Sequence, residues 1–254
     1  MNGGNPGDDA LREPAHWKFW GTVLWGLAIA IIFTVLQVVV FFVFLVMRNK
    51  GLSGSDFELA LESAADDGTI ISVATFATTV VCCALIAGIV KLKKHSILKD
   101  YLAIRPVARG TMLRWLGLLA CFAVLSDLIT TLLGRPVVPS FMSSAYATAN
   151  PIWLIWVALV IAAPLFEETF FRGFLFKGFE SSFLKPLGAV LVTAALWAMI
   201  HIQYDLLDIL IIFCMGLLLG AARAYTGSVL VPLAMHSAGN LLATVEAAVL
   251  AGPT

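Results

Sequence analysis

The 254-residue chain is 60% hydrophobic and 13% charged, about half the charged fraction of an ordinary soluble domain. Sixteen lysines and arginines balance sixteen aspartates and glutamates, which excludes the global field that draws nucleic acid. The composition is that of an integral membrane protein, and an all-α bundle of transmembrane helices is the expected fold, with about seven spans or eight.

Taken in order, residues 1–18 contain Asp8, Asp9 and Glu13, unlike the basic start of a secretory signal, and read as a cytoplasmic N-terminal segment. The first span, Phe19 to Met47, is longer than the ~20 residues a bilayer requires, so it tilts or projects. Gly51 to Gly68 reads as a polar loop with five acidic residues and no basic one. A second span, Ile70 to Val90, runs into a loop from Lys91 to Arg114 that holds seven basic residues against Asp100 alone. That imbalance is the strongest orientation signal in the chain and assigns the loop to the cytoplasm. Within it, Tyr101 to Pro106 reads either as a short interfacial element or as a solvated connector.

The third span, Trp115 to Leu133, carries Asp127, which is expected to face other helices rather than lipid. Arg135 to Asn150 reads as a loop. Further spans follow from Ile152, from Leu187 to Ile202, from Leu206 to Ala222 and from Val229 to Leu250. Seven spans from a cytoplasmic N-terminus put Arg172, Lys177 and Lys185 on the same side as the basic loop, although Arg48 and Lys50 fall on the other. The four cysteines, Cys82, Cys83, Cys121 and Cys214, show no metal-ligand spacing and read as small buried hydrophobes.

The chemistry concentrates in Phe166-Glu167-Glu168-Thr169-Phe170-Phe171-Arg172. An ionised side chain at the centre of a span costs about 2.5–3.5 kcal/mol on the insertion scale, so three together need a reason. On a helix Glu168 and Arg172 stand four apart and can pair, whereas Glu167 is turned about 100° away. Downstream, His201 follows Trp197 by one helical turn, and His236 precedes Asn240 by one. A carboxylate, two imidazoles and an amide on three apolar segments form a polar cluster that lipid cannot satisfy.

The ordered set Glu167-Glu168-x-x-x-Arg172, an aromatic four residues before His201, and His236-x-x-x-Asn240 resembles the three-motif signature of the CAAX prenyl endopeptidase and bacteriocin-processing family of intramembrane proteases. The resemblance spans about Pro151 to Val245, so residues 19–150 read as N-terminal spans and 151–254 as the core that carries the motifs. Trp197 departs from the phenylalanine usual in the family.

The resemblance implies peptide hydrolysis in which Glu167 and His201 share an activated water, His236 and Asn240 donate to the developing oxyanion, and Glu168 with Arg172 holds the glutamate helix in register. No cofactor is expected on this reading. The alternative is zinc, for which Glu167, His201 and His236 are adequate ligands, although no His-Glu-x-x-His is present. The expected partners are the lipid bilayer and a substrate: a prenylated C-terminal tail, a bacteriocin-type leader or another membrane protein segment. A proton-coupled transporter and a catalytically idle immunity or scaffold protein are the competing readings.

In a simple hairpin arrangement His201 lies near the far end of its span and His236 near the cytoplasmic side. For them to meet, the Gln203-Tyr204-Asp205 turn has to be sunk into the bundle or line a water-filled cavity.

Overall fold

Helices account for the fold, with no strand among residues 16–48 and 55–250, which the computed structural model describes. Most of the N-terminal segment, and Lys50 with its orientation signal, lie outside the described residues. In chain order the helices are α1 (Phe19–Arg48), α2 (Ser55–Ala65), α3 (Gly68–Leu92), α4 (Leu98–Tyr101), α5 (Arg109–Leu132), α6 (Ser140–Thr148), α7 (Trp153–Glu180), α8 (Lys185–Met199), α9 (Leu206–Thr226) and α10 (Leu230–Leu250).

Among the described residues, six helices are long and apolar enough to cross a membrane: α1, α3, α5, α7, α9 and α10. The chain is therefore a multi-span helical membrane protein. The expected fifth span is α8, with 15 residues. At 1.5 Å per residue it covers roughly 22 Å, short of the ~30 Å hydrocarbon core. Two stretches expected to be loops hold helices instead, α2 in the acidic loop and α6 before α7. The third span starts at Arg109 rather than Trp115, because the basic residues at its start suppress hydropathy without breaking the helix.

Polar groups tie the helix ends together. Asp67 caps α3, accepting from the Thr69 and Ile70 amides at 2.9 and 3.0 Å, and also pairs with Arg48 at the end of α1. Arg48 thus has a local acidic partner. Asp205 caps α9 in the same way, at 3.0 and 3.2 Å, and pairs with Arg135. At the other end of α9, Gly227 takes φ 63°, a left-handed cap that lets its amide reach the Arg223 carbonyl at 3.0 Å.

The Tyr101–Pro106 stretch is neither interfacial nor a solvated connector at its start. Tyr101 and Leu102 are buried, and the Tyr101 ring stacks on Phe174 of α7 at 5.8 Å. The amide of Val229 holds the Ala103 carbonyl at 2.9 Å and the Ser228 hydroxyl holds the Arg105 carbonyl, so the α9–α10 turn pins the segment down. Of the cysteines, Cys82 is buried, but Cys121 and Cys214 are exposed on spanning helices. An apolar bilayer accepts a weakly polar thiol on the outer face, which is why apolar surroundings in sequence did not imply burial.

Helix α7 sits at the centre and is not a regular α-helix: residues 158–162 and 168–175 widen into π turns. Pro164 explains the first. In π register the Leu159 carbonyl would be served by residue 164, and proline has no N–H. The freed carbonyl accepts from Asn240 Nδ2 at 2.8 Å, and the nearby Ala162 carbonyl accepts from the Thr79 hydroxyl at 2.9 Å.

In the second π turn the Phe176 amide bonds to Phe171 and Gly173, passing over the Arg172 carbonyl. Arg223, buried on α9, serves that carbonyl through Nε at 2.9 Å. Helix α1 packs directly on this element, with Phe33, Phe166 and Phe170 stacked in sequence at 5.0 and 5.7 Å.

Candidate active site

Glu167 and Glu168 stand where α7 enters its second π turn. Glu168 and Arg172 are both fully buried, and Arg172 Nη1 donates to Glu168 Oε1 at 2.9 Å, so the expected four-residue pair forms. The other terminal nitrogen, Nη2, donates to the Gly216 carbonyl on α9 at 3.1 Å. Glu168 has a second partner that the local pattern did not show. His236 Nδ1 lies 2.9 Å from the same Oε1. Since a carboxylate oxygen only accepts, Nδ1 is the donor, and Nε2 lies on the opposite side of the ring. That Nε2 lies 3.9 Å from Oε2 of Glu167, beyond a direct hydrogen bond.

Trp197 comes from the last turn of α8, and His201 lies just beyond the helix end. Gln203 and Tyr204, in the turn that follows, line the same cavity as both histidines, while Ile202 in that turn is exposed. His201 Nδ1 lies 2.7 Å from the Trp197 carbonyl and donates to it, which leaves Nε2 outside that bond. The indole Nε1 of Trp197 donates to Glu167 Oε2. Its ring meets the imidazoles of His201 and His236 edge-on, each at 5.1 Å, and the Arg172 guanidinium lies over its face at 4.7 Å.

Glu167, Trp197, His201, His236 and Asn240 all line one cavity of about 520 Å³, a volume in the range of small-molecule and peptide side-chain sites. Asp127 lines it too, facing other helices. Glu168 and Arg172 lie behind the wall. Burial pushes the Tyr204 phenol up, with Asp208 and Glu167 adding to the effect, so this cavity residue is a hydrogen-bond donor at neutral pH.

Among the described residues no three His, Cys, Asp or Glu side chains are disposed to hold a metal ion. Glu167 Oε2 accepts from the Trp197 indole, and the His236 Nδ1 contact with Glu168 puts the ring's Nε2 on the Glu167 side, 3.9 Å from Oε2.

A profile of the type II CAAX prenyl endopeptidase Rce1-like family matches residues 149–242, a segment that contains all six motif residues. An uncharacterized 24.3 kDa protein of Escherichia coli is 32% identical over 155 residues, which are 58% of this chain and 70% of the relative. The chain belongs to the Rce1-like family. No solved structure matches it. Membership in this family of CAAX-type membrane proteases brings peptide-bond hydrolysis and membrane-associated substrates with it.

Three features of the Rce1-like core escaped the sequence reading. The His236–Glu168 bond joins residues 68 apart, which no local pattern reveals. Arg223 reads as an ordinary charge at a helix end, yet it is buried against the π turn. Trp197 was noted for its ring, but its N–H is what reaches Glu167; a donor-bearing aromatic at a position usually held by phenylalanine was the available signal.

Proposed function

We propose that the chain is an intramembrane endopeptidase that hydrolyses a peptide bond of a membrane-associated protein or a prenylated C-terminal tail by attack of water activated at Glu167 and His201. The observation that carries this reading is the convergence of Glu167, His201, His236 and Asn240 on one cavity within the helical bundle. Glu167 takes a proton from the water while its oxygen adds to the scissile carbonyl carbon. His201, with Nδ1–H on the Trp197 carbonyl, turns Nε2 toward the cavity as an acceptor for the second water hydrogen. The proton is then delivered to the leaving amine as the C–N bond breaks.

The geometry supports a fuller role for His236 than fixed donation to the oxyanion. With Nδ1–H on Glu168, its Nε2 accepts when neutral and donates once protonated, so it is suited to pass a proton as well as to hold the oxyanion. Asn240 uses one amide hydrogen on the Leu159 carbonyl and has a second for the substrate oxygen. Glu168 and Arg172 act from behind the cavity by holding His236 and the π turn. The reaction needs no metal, and the partners are the bilayer and the peptide substrate, with the N-terminus on the cytoplasmic side.

The test is cleavage by purified protein reconstituted in vesicles. Farnesylated and unmodified versions of one C-terminal peptide, and a leader-like peptide, are offered to wild type and to Glu167→Gln and His201→Ala. Wild type is expected to cleave at least one and both variants none, with thermal unfolding unchanged. Substantial activity in either variant overturns the assignment of the pair. A wild type that cleaves nothing favours a catalytically idle protein.

A further inference from the structure

Trp197 is 2% exposed and makes four contacts with different members of the site. Its indole N–H reaches Glu167 Oε2, its ring makes T-shaped contacts with His201 and His236, and its face receives Arg172. Its own position is set by close helix packing. Gly216 on α9 brings the two helices together, so that even a methyl group there would sit 3.1 Å from Trp197 Cε3 and from Ala194. The ring is therefore held by its surroundings before it holds anything else.

A carboxylate on a helix has two free torsions near its end, and a water-activating base has to keep one oxygen aimed at the water. Without a fixed partner Glu167 could rotate within the cavity or reach toward the histidines. The oxygen bonded to the indole is also the one 3.9 Å from His236 Nε2. One N–H thus sets which oxygen faces the proton-passing histidine and leaves Oε1 for the water. A phenylalanine ring could fill the same space and meet the same imidazoles, but it has no donor.

We propose that Trp197 is a positioning residue for Glu167, fixing the orientation of its carboxylate through the indole N–H, beyond any packing role of the ring. This rests on the peptidase reading for its catalytic consequence, though the bond itself can be tested without activity.

The experiment uses protein labelled with ¹⁵N at the indole nitrogens, in detergent micelles. Seven tryptophans give a countable set of indole signals, and the one missing from Trp197→Phe is assigned to Trp197. In wild type that signal should lie downfield, as a donor to a carboxylate does, and it should move upfield in Glu167→Gln. Glu167→Gln keeps the indole, and if Trp197→Phe folds poorly the signal missing from Trp197→His supplies the assignment.

On the best cleaved peptide, Trp197→Phe is expected to lower kcat roughly 10²-fold, the scale of a misplaced catalytic group, with KM little changed. Trp197→His, which restores a ring N–H, should recover part of that loss. An indole signal indifferent to Glu167→Gln shows that the bond does not form and overturns the proposal. So does a Trp197→Phe enzyme with wild-type kcat. If the signal responds but wild type cleaves no peptide, the peptidase reading fails, while the anchoring of Glu167 by Trp197 is upheld.

Discussion

His236 Nδ1 and Glu168 Oε1 lie 2.9 Å apart, and that same oxygen is 2.9 Å from Arg172 Nη1. The second glutamate of the pair thus joins the helix that carries the first to a histidine on α10. Glu168 Oε2 and Arg172 Nε, both buried, find no hydrogen-bond partner among the described residues. A buried ion pair with unsatisfied edges is poor evidence of net stabilisation, and its value lies in the geometry it imposes.

Breaking that pair from one side should be costly. Glu168→Ala and Arg172→Ala each strand a buried charge, at about 3–5 kcal/mol, and both should unfold at clearly lower temperature than wild type. The double replacement should lose less than the two single losses added together, since it leaves no orphaned partner. Additive losses would show that the two side chains are not coupled.

Gly216 makes a second prediction. A β-carbon there would sit 3.1 Å from Ala194 and Trp197 across the α8–α9 contact, and the carbonyl of the same residue accepts from Arg172. Helices in lipid associate through such close backbone approach rather than through the hydrophobic effect. Gly216→Ala should destabilise by about 1–3 kcal/mol through overpacking and reduce activity by displacing Trp197. The same change at Gly110, with open space around its would-be β-carbon, is the control and should leave the melting temperature within error.

Chelation separates the metal-free chemistry from its zinc alternative. With Glu167 as the base and its oxygen bonded to the Trp197 indole, activity should survive exhaustive treatment with a strong chelator, and elemental analysis of active protein should find no stoichiometric zinc. Loss of turnover on chelation, restored by zinc, would make Glu167, His201 and His236 ligands instead.

What was legible in the sequence depended on how local each interaction is. Glu168 and Arg172 are one helical turn apart, and the π turn that carries them keeps them on one side, so their pairing could be read from spacing. The six long spans were legible for the same reason, since hydropathy is summed along the chain. The short α8 was not: an apolar run ending in Trp197-Ala198-Met199-Ile200-His201 looks alike whether it meets lipid or the bundle interior, and only the cavity distinguishes them.

The π turns were also hidden, because they arise from where Pro164 removes a donor and where Asn240, Thr79 and Arg223 supply others. Those donors come from three different helices. The tertiary bonds of His236 and Trp197 were hidden likewise, being set by packing between segments.

The most direct test of the central claim is hydrolysis in H₂¹⁸O by purified, vesicle-reconstituted protein, with the products read by mass spectrometry under conditions of a single turnover. Water attack at the scissile carbonyl predicts one ¹⁸O in the newly formed carboxylate after the first turnover, no covalent peptide–enzyme species, and no product from Glu167→Gln that unfolds like wild type. Product formed by Glu167→Gln at a rate near that of wild type, or a trapped covalent adduct on the protein, would contradict the account.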